Sequence, residues 1–339
     1  MKKLLLVTDA WHPQVNGVVT CYATILPLLK KRGYDTLVVH PGLFRTIALP
    51  FYPEIRLALF PKKRLAKMVD DFSPHAIHIA VEGPLGRAAR ALCTRRNLPF
   101  TTTYHTHFQK HIEARVHGTF LTPLVYSFLR WFHAKAHATM VATESLKQVL
   151  EEHGLTHLVL WPLGVDTELF KKNPAPKLPQ PPKPVFVYFG RVAKEKSIEE
   201  FLSLDLPGTK LVIGDGPDKA VLEKKYADTA RFVGYKRGQE LVDWLSMCDV
   251  FVFPSTTETF GLVVLEALAC GVPVAARNVM GPKDILTHGV DGYLGENLRE
   301  NALLCLSLES EACRATALRY SWERSAALFE ANLAPARES

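Results

Sequence analysis

Short apolar or β-branched runs alternate with amphipathic stretches along most of the 339 residues. Residues 3–8, 35–40, 76–80, 100–103 and 139–142 read as strands, mostly of the kind that parallel sheets cover on both faces. Between them, 18–32, 62–72, 84–96, 119–136 and 145–153 carry apolar residues at helical spacing. Residues 158–162 close this half, and 43–60 read as irregular with a short strand at 55–59. The alternation restarts at 185–189. It continues with strands at 210–213, 231–234, 250–253 and 274–276, and helices at 197–203, 219–228, 239–247, 282–287, 299–319 and 322–334. Residues 214–217 and 288–292 read as turns. Such alternation implies α/β, doubly wound parallel sheets with right-handed crossovers. Residues 171–184 interrupt it: six of these fourteen are Pro, a stiff linker. The expected division is an N-terminal domain over 1–170, the linker, and a C-terminal domain over 185–320. Ligands would bind at the strand C-terminal ends, in a cleft between the two.

The stretch 255–274 stands out. A polar loop carrying Glu258 follows the strand 250–253. From Gly261 the residues are almost all apolar until Gly271 and Pro273 stop the helix. A helix apolar all round is a buried helix, and Glu266 sits inside it, where a carboxylate needs partners or a ligand. The helix N-terminus offers backbone N–H groups to an anion. The stretch is either an anion seat with two useful acids or a buried βα unit with incidental ones; composition does not separate these.

Composition narrows the class. Apolar residues at 47% and charged residues at 22% describe a soluble globular protein, and no run approaches the ~20 residues of a membrane-spanning helix. The apolar start is cut by Thr8 and Asp9, so it reads as a first strand rather than a signal peptide. The six Cys have no paired spacing, pointing to a reducing, cytoplasmic setting. The net charge is +7, and residues 60–150 alone hold 13 Lys/Arg against 5 Asp/Glu. Such a half suits either a solvated basic face or an anionic membrane surface. No basic run is interleaved with aromatics, so no nucleic-acid partner is expected.

Several short motifs could carry chemistry. Gly190, Arg191 and Lys196 follow the strand 185–189 and place two cations at a strand end, suited to phosphate. A solvated loop has the same spacing. Asn16 and Gly17 occupy the first strand–helix turn, where Gly permits close approach of a ligand. His105, His107 and His111 lack an acid or Cys at close spacing, so no zinc site is expected; His107 and His111 read as packed or surface residues. His105, at a strand end, reads as a polar contact to substrate. Asp-X-Asp at a strand end, dinucleotide-binding, P-loop and Gly-X-Ser-X-Gly motifs are absent.

Taken together, Phe189, Gly190, Arg191 and Lys196, Gly214 to Pro217, Phe232 to Tyr235, and Pro254 and Ser255 through Glu258, Phe260, Gly261 and Glu266 to Val274 resemble glycosyltransferase family 4. His12 to Val18, Tyr104 to Thr106 and Leu163 to Phe170 look like that family's N-terminal half. The resemblance implies the GT-B fold: two Rossmann-like doubly wound domains facing a central cleft, nucleotide sugar in the C-terminal one and acceptor in the N-terminal one. It also implies a last helix, about 321–334, that crosses back. Within the family the chain is similar to the glycolipid-forming branch: sulfoquinovosyl-, glucosyl- and glucuronosyl-diacylglycerol synthases and related α-mannosyltransferases. That implies a retaining, metal-independent hexosyltransferase using a UDP- or GDP-sugar and no cofactor. Its acceptor would be a membrane lipid such as diacylglycerol, met on the cytoplasmic face of the inner membrane. A lipopolysaccharide or exopolysaccharide acceptor, a nucleotide-sugar epimerase or phosphorylase, and a non-catalytic nucleotide-sugar-binding scaffold are the alternatives.

By the same resemblance, Arg191 and Lys196 bind the donor diphosphate, helped by backbone N–H groups of Gly261, Leu262 and Val263, with Gly17 against the phosphates. Glu266 holds the ribose and Glu258 the transferred sugar, beside Gly190 and Phe260. Gly214, Val233, Gly234 and Tyr235 line the base pocket. His105 touches the sugar at the reacting centre. His12, Asn16, Tyr104 and Thr106 are the acceptor-side candidates. Ser197 stands where the family often has Gly.

Overall fold

The computed structural model describes residues 1–14, 16–49, 52–105 and 122–335. Its contacts divide the chain into two compact units. One is Met1–Pro162 with Trp322–Ser339, the other Leu163–Ser321.

In the first unit, strands β1 (Lys2–Val7), β2 (Tyr34–Val39), β3 (Thr46–Leu49), β4 (Tyr52–Ala58), β5 (Ala76–Ile79), β6 (Thr101–Tyr104), β7 (Thr139–Val141) and β8 (Leu158–Leu160) succeed one another with helices between most of them. Six form one parallel sheet in the order β2-β1-β5-β6-β7-β8. Leu5, Val7, Ile77, Ile79, Leu85, Leu92, Phe100 and Phe132 fill one of its faces. The terminal helix Trp322–Ala331 belongs to this unit. Ser325 O accepts from Trp161 Nε1 at 3.0 Å, and Arg32 Nε donates to Glu330 at 2.6 Å. Phe329 is buried against the rings of Tyr22, His78 and Trp161. Strands β3 and β4 form an antiparallel hairpin where the sequence shows only a short strand at 55–59. The first arm has no clear alternation of its own and exists through its pairing.

In the second unit, β9 (Val185–Phe189), β10 (Thr209–Ile213), β11 (Ala230–Phe232), β12 (Val250–Phe253), β13 (Val274–Ala276) and β14 (Gly292–Leu294) form another parallel sheet. Their order is β11-β10-β9-β12-β13-β14. Strand β14 replaces the end of the turn expected over 288–292. The helix expected over 299–319 is two, Leu298–Cys305 and Ser310–Leu318. Between them Ser310 turns its hydroxyl onto Gly271 O at 2.6 Å, a long-range contact that spacing does not encode. The Pro-rich residues before β9 are anchored to this unit. Asn173 Nδ2 donates to Asp243 at 2.7 Å, and Lys183 Nζ to Asp249 at 2.6 Å.

Each sheet has a point where the connections turn from one side to the other: between β1 and β5, and between β9 and β12. Loops leaving the C-terminal ends of such neighbours diverge and open a crevice. Residues 8–14 and 80–83 border the first crevice, 190–197 and 254–261 the second.

Tight backbone packing holds the second crevice. Gly214 N donates to Gly234 O at 2.9 Å, Gly190 N to Ile213 O at 3.0 Å, and Val192 N to Asp215 O at 2.9 Å. A Cβ on Gly214 would sit 1.9 Å from Gly190 O, with φ at +155°. Gly214→Ala is therefore expected to cost about 2–3 kcal/mol, read as a drop of several degrees in the thermal unfolding midpoint. An unchanged midpoint would contradict this packing.

Candidate active site

The second crevice assembles residues far apart in sequence. The loop after β9 brings Lys196 Nζ to 2.9 Å from Glu258 Oε2, on the loop after β12. The other oxygen, Oε1, accepts from Thr259 N at 3.0 Å. Both side chains are largely covered. Thr257 Oγ1 donates to Glu195 O at 3.2 Å and ties the loops a second time. Arg191 is exposed and makes no ion pair among the described residues; its carbonyl accepts from Tyr188 Oη at 2.7 Å.

Gly261, at φ +95°, caps the helix Leu262–Ala269 without any side-chain cap. The amides of Leu262 and Val263 thus face the crevice end of that helix, with its partial positive charge. Phe260 is buried, its ring edge-on to Tyr320. Gly281 was not singled out in the sequence, yet it closes this loop: a Cβ there would meet Phe260 O at 2.9 Å and Glu258 Cγ at 3.1 Å.

Glu266 lies one turn into the helix, half-buried. Its carboxyl makes no hydrogen bond or ion pair among the described residues. Loss of water pushes its pKa up to about 8. Val233 and Gly234 lie just beyond the C-terminal end of β11, and Tyr235 is 58% exposed beside them.

In the first unit, Asn16 caps the helix Gly17–Lys31, its Oδ1 accepting from Val19 N at 3.0 Å. A Cβ on Gly17 would meet nothing within 4 Å, so packing does not demand glycine there. The His12 ring lies edge-on to Trp11. Tyr104 is buried at 2% exposure, its ring facing His133, which directs it into the unit rather than to its surface. Thr106, His107 and His111 lie outside the described residues. His105 is half-buried at the end of β6, its Nε2 3.0 Å from Tyr22 Oη. That hydroxyl also meets His78 Nε2 at 2.8 Å and Thr103 Oγ1 at 3.1 Å, and His78 Nδ1 meets Thr101 Oγ1 at 2.8 Å. Burial holds His105 down at about 3, so the ring is neutral at ordinary pH.

Residues 15–169 match the family described as Glycosyltransferase Family 4, and residues 170–308 match Glycosyl transferases group 1. The chain belongs to glycosyltransferase family 4. It is 32% identical to the sulfoquinovosyl transferase of Arabidopsis thaliana over 320 residues, 86% of this chain and 62% of that protein. It is 27% identical to the alpha-monoglucosyldiacylglycerol synthase of Acholeplasma laidlawii, covering 80% of this chain and 79% of that one. Among solved structures, sucrose-phosphate synthase from Thermosynechococcus elongatus superposes with a TM-score of 0.78 over 98% of both chains at 20% identity. The fold is GT-B.

Reading from sequence missed Asp9 in this glycosyltransferase. It ends the loop-side of β1 and is buried, its carboxylate accepting from Leu85 N at 2.9 Å and Gly86 N at 3.1 Å. It thereby caps the helix Pro84–Arg96, whose own N-cap, Gly83, has no side chain. A Cβ on Gly83 would meet the Asp9 carboxyl at 2.3 Å. Burial still pushes Asp9 up to about 6. An acid straight after an apolar strand, with an uncapped helix later on, was the available signal.

Glu266 yields a pH test. Its ordinary pKa is 4.5 and its folded pKa about 8, so the folded state holds the proton more tightly. The stability this supplies is full below 4.5 and lost as pH rises through about 8. Glu266→Gln, which keeps the shape without titrating, is expected to gain thermal midpoint relative to the parent as pH rises from 5 to 9. A constant difference across that range would refute the raised pKa.

Proposed function

We propose that this protein transfers a hexosyl group from a UDP- or GDP-sugar to a hydroxyl of a membrane lipid such as diacylglycerol. It does so with retention of anomeric configuration and with no metal or cofactor. The observation that carries the reading is the second crevice itself. Lys196 and Glu258 are joined there, beside exposed Arg191, an uncapped helix N-terminus and a Glu266 carboxyl without a partner among the described residues.

Each part has a place in the chemistry. A departing nucleoside diphosphate accumulates negative charge, and Arg191, Lys196 and the amides of Gly261, Leu262 and Val263 oppose it. Lys196, held by Glu258, and the helix amides are fixed before the bond breaks and need little reorganisation. Glu266 accepts from ribose hydroxyls, which supply the partners it lacks. Glu258 takes hydroxyls of the transferred sugar. Its bond to Lys196 places sugar and diphosphate in a fixed relation. The turns at Gly214 and at Val233, Gly234 and Tyr235 border the base. In the first unit, Gly17 is a glycine that packing does not need and that leaves its helix N-terminus open to close approach of a ligand. Neutral His105 carries hydrogen-bonding atoms without adding charge. The Acholeplasma relative, named for diacylglycerol, supports a lipid acceptor. The chain spans 62% of the length of the plant relative, whose sulfoquinovosyl donor group points the same way as to sugar class.

Two variants separate the acids. Glu266→Ala is expected to weaken UDP or GDP binding by roughly tenfold. Glu258→Gln frees Lys196, so nucleoside diphosphate affinity holds or rises while turnover falls about 100-fold. Calorimetry and a donor-plus-diacylglycerol turnover assay measure both. Equal losses of affinity would overturn the separate roles, and transfer to free saccharides but not to diacylglycerol vesicles would overturn the lipid acceptor.

A further inference from the structure

We propose that Glu82, held from behind by His133, is the residue of the first crevice that takes a hydroxyl of an uncharged alcohol ligand. The inference deepens the acceptor reading, on which it rests for the origin of that alcohol, and assigns the contact to one side chain of the first unit.

Glu82 lies on the loop that leaves β5 at the border of the first crevice. Its Oε1 turns inward and stands 3.3 Å from Nε2 of His133, the last residue of the helix Thr122–His133. Both atoms are closed to solvent, and neither has a hydrogen-bond partner among the described residues. The imidazole is otherwise fixed. Thr102 Oγ1 lies 2.9 Å from its Nδ1 and 2.9 Å from Thr139 Oγ1. A carboxylate oxygen repels a nitrogen lone pair, so Nε2 carries a proton while Nδ1 accepts from Thr102. Thr139, Thr102 and His133 thus form a file that ends in an N–H facing Glu82.

Buried polar atoms almost always find partners, and a bond of this kind left unmade costs about 1–3 kcal/mol. The pair is close enough to bond but not aligned for it, and a turn of the carboxyl would align it. The second oxygen, Oε2, supplies the means. It too has no partner among the described residues, and the side chain is 23% exposed although Oε1 is shut in. A hydroxyl arriving from the crevice donates to Oε2, fixes the plane of the carboxyl and lets Oε1 receive the His133 N–H.

The neighbours decide the kind of ligand. Asp9 stands beside the same loop, where a Cβ on Gly83 would meet its carboxyl at 2.3 Å. Both of its oxygens are taken, by Leu85 N and Gly86 N. Burial raises the Asp9 pKa and the charge of Glu82 adds to the rise, while the two amides and Arg87 pull it down. Two acids this close disfavour a phosphate or a carboxylate and leave an uncharged O–H as the fitting donor. Of the two, Glu82 is the one with an oxygen to offer. A hydroxyl of diacylglycerol and a hydroxyl of a free sugar share that chemistry.

The test measures binding to the full chain with no sugar donor present. A protein that binds the alcohol yet transfers nothing would then count against the transferase reading and not against this one. Calorimetry uses the short-chain lipid dihexanoylglycerol, glucose, and the fully acetylated form of each. Binding of dihexanoylglycerol marks a lipid source and binding of glucose a saccharide source; either supports the proposal if the acetylated form, which has no hydroxyl, binds roughly tenfold more weakly. Glu82→Gln keeps the shape without the charge and should also lose roughly tenfold in affinity, with the thermal midpoint held. His133→Leu should lose about fivefold, and His133→Gln, which returns an N–H to that place, should recover to within about twofold of the parent. That recovery separates a positioning role from packing. Binding of neither alcohol, equal binding of the acetylated forms, tighter binding of a glucose phosphate than of glucose, unchanged affinity in Glu82→Gln, or a His133→Gln as weak as His133→Leu would each overturn the proposal.

Discussion

The second unit's site depends on one adjacency: β9 lies beside β12, although the helices and strands of some sixty residues separate them in the chain. Parallel pairing of those strands puts their C-terminal ends side by side while their connections depart in opposite directions. Only then can Lys196 meet Glu258 at 2.9 Å. The pair is partly shielded from water, so each charge is held in place more firmly than a surface pair would be. The loops cannot move independently without breaking it. The glycines around them, Gly214 against Gly190 and Gly281 against Phe260, let backbones approach where any side chain would intrude.

The same crevice leaves one ionisable group unsatisfied. Glu266 sits one turn into an apolar helix, short of water and, among the described residues, of partners, and its pKa rises accordingly. A fold selected for stability alone has no reason to keep it. In the first unit the corresponding strand ends are treated differently. Asp9 is buried too, but two amides of the helix Pro84–Arg96 receive it. His105, Tyr22, His78 and two threonines satisfy one another in a chain of neutral hydrogen bonds. At these strand ends Asp9 and His105 of the first unit have partners, while the second unit keeps cations and a carboxyl available.

Family 4 membership, strand–helix alternation and the parallel sheets were legible in the chain. Short continuous apolar runs and amphipathic runs at helical period reflect burial that each segment needs locally. The strands forecast at 3–8, 76–80, 185–189 and 250–253 coincide with β1, β5, β9 and β12 to within a residue or two. The hairpin β3–β4, the short edge strand β14 and the break between Leu298–Cys305 and Ser310–Leu318 were not legible. Each is set by a partner far away in sequence.

Among site residues, sequence alone determined the types present and the spacing of Arg191 to Lys196 and Glu258 to Glu266, because these sit on loops and a helix whose limits Gly and Pro mark locally. Tertiary structure decided which of them meet. It joined Lys196 to Glu258, left Arg191 and the Glu266 carboxyl open, turned Tyr104 inward, and brought Asp9 to a helix that starts 75 residues later. Proximity across strands follows from sheet order, and sheet order is a global solution to burying two faces at once. No local window of the sequence contains it.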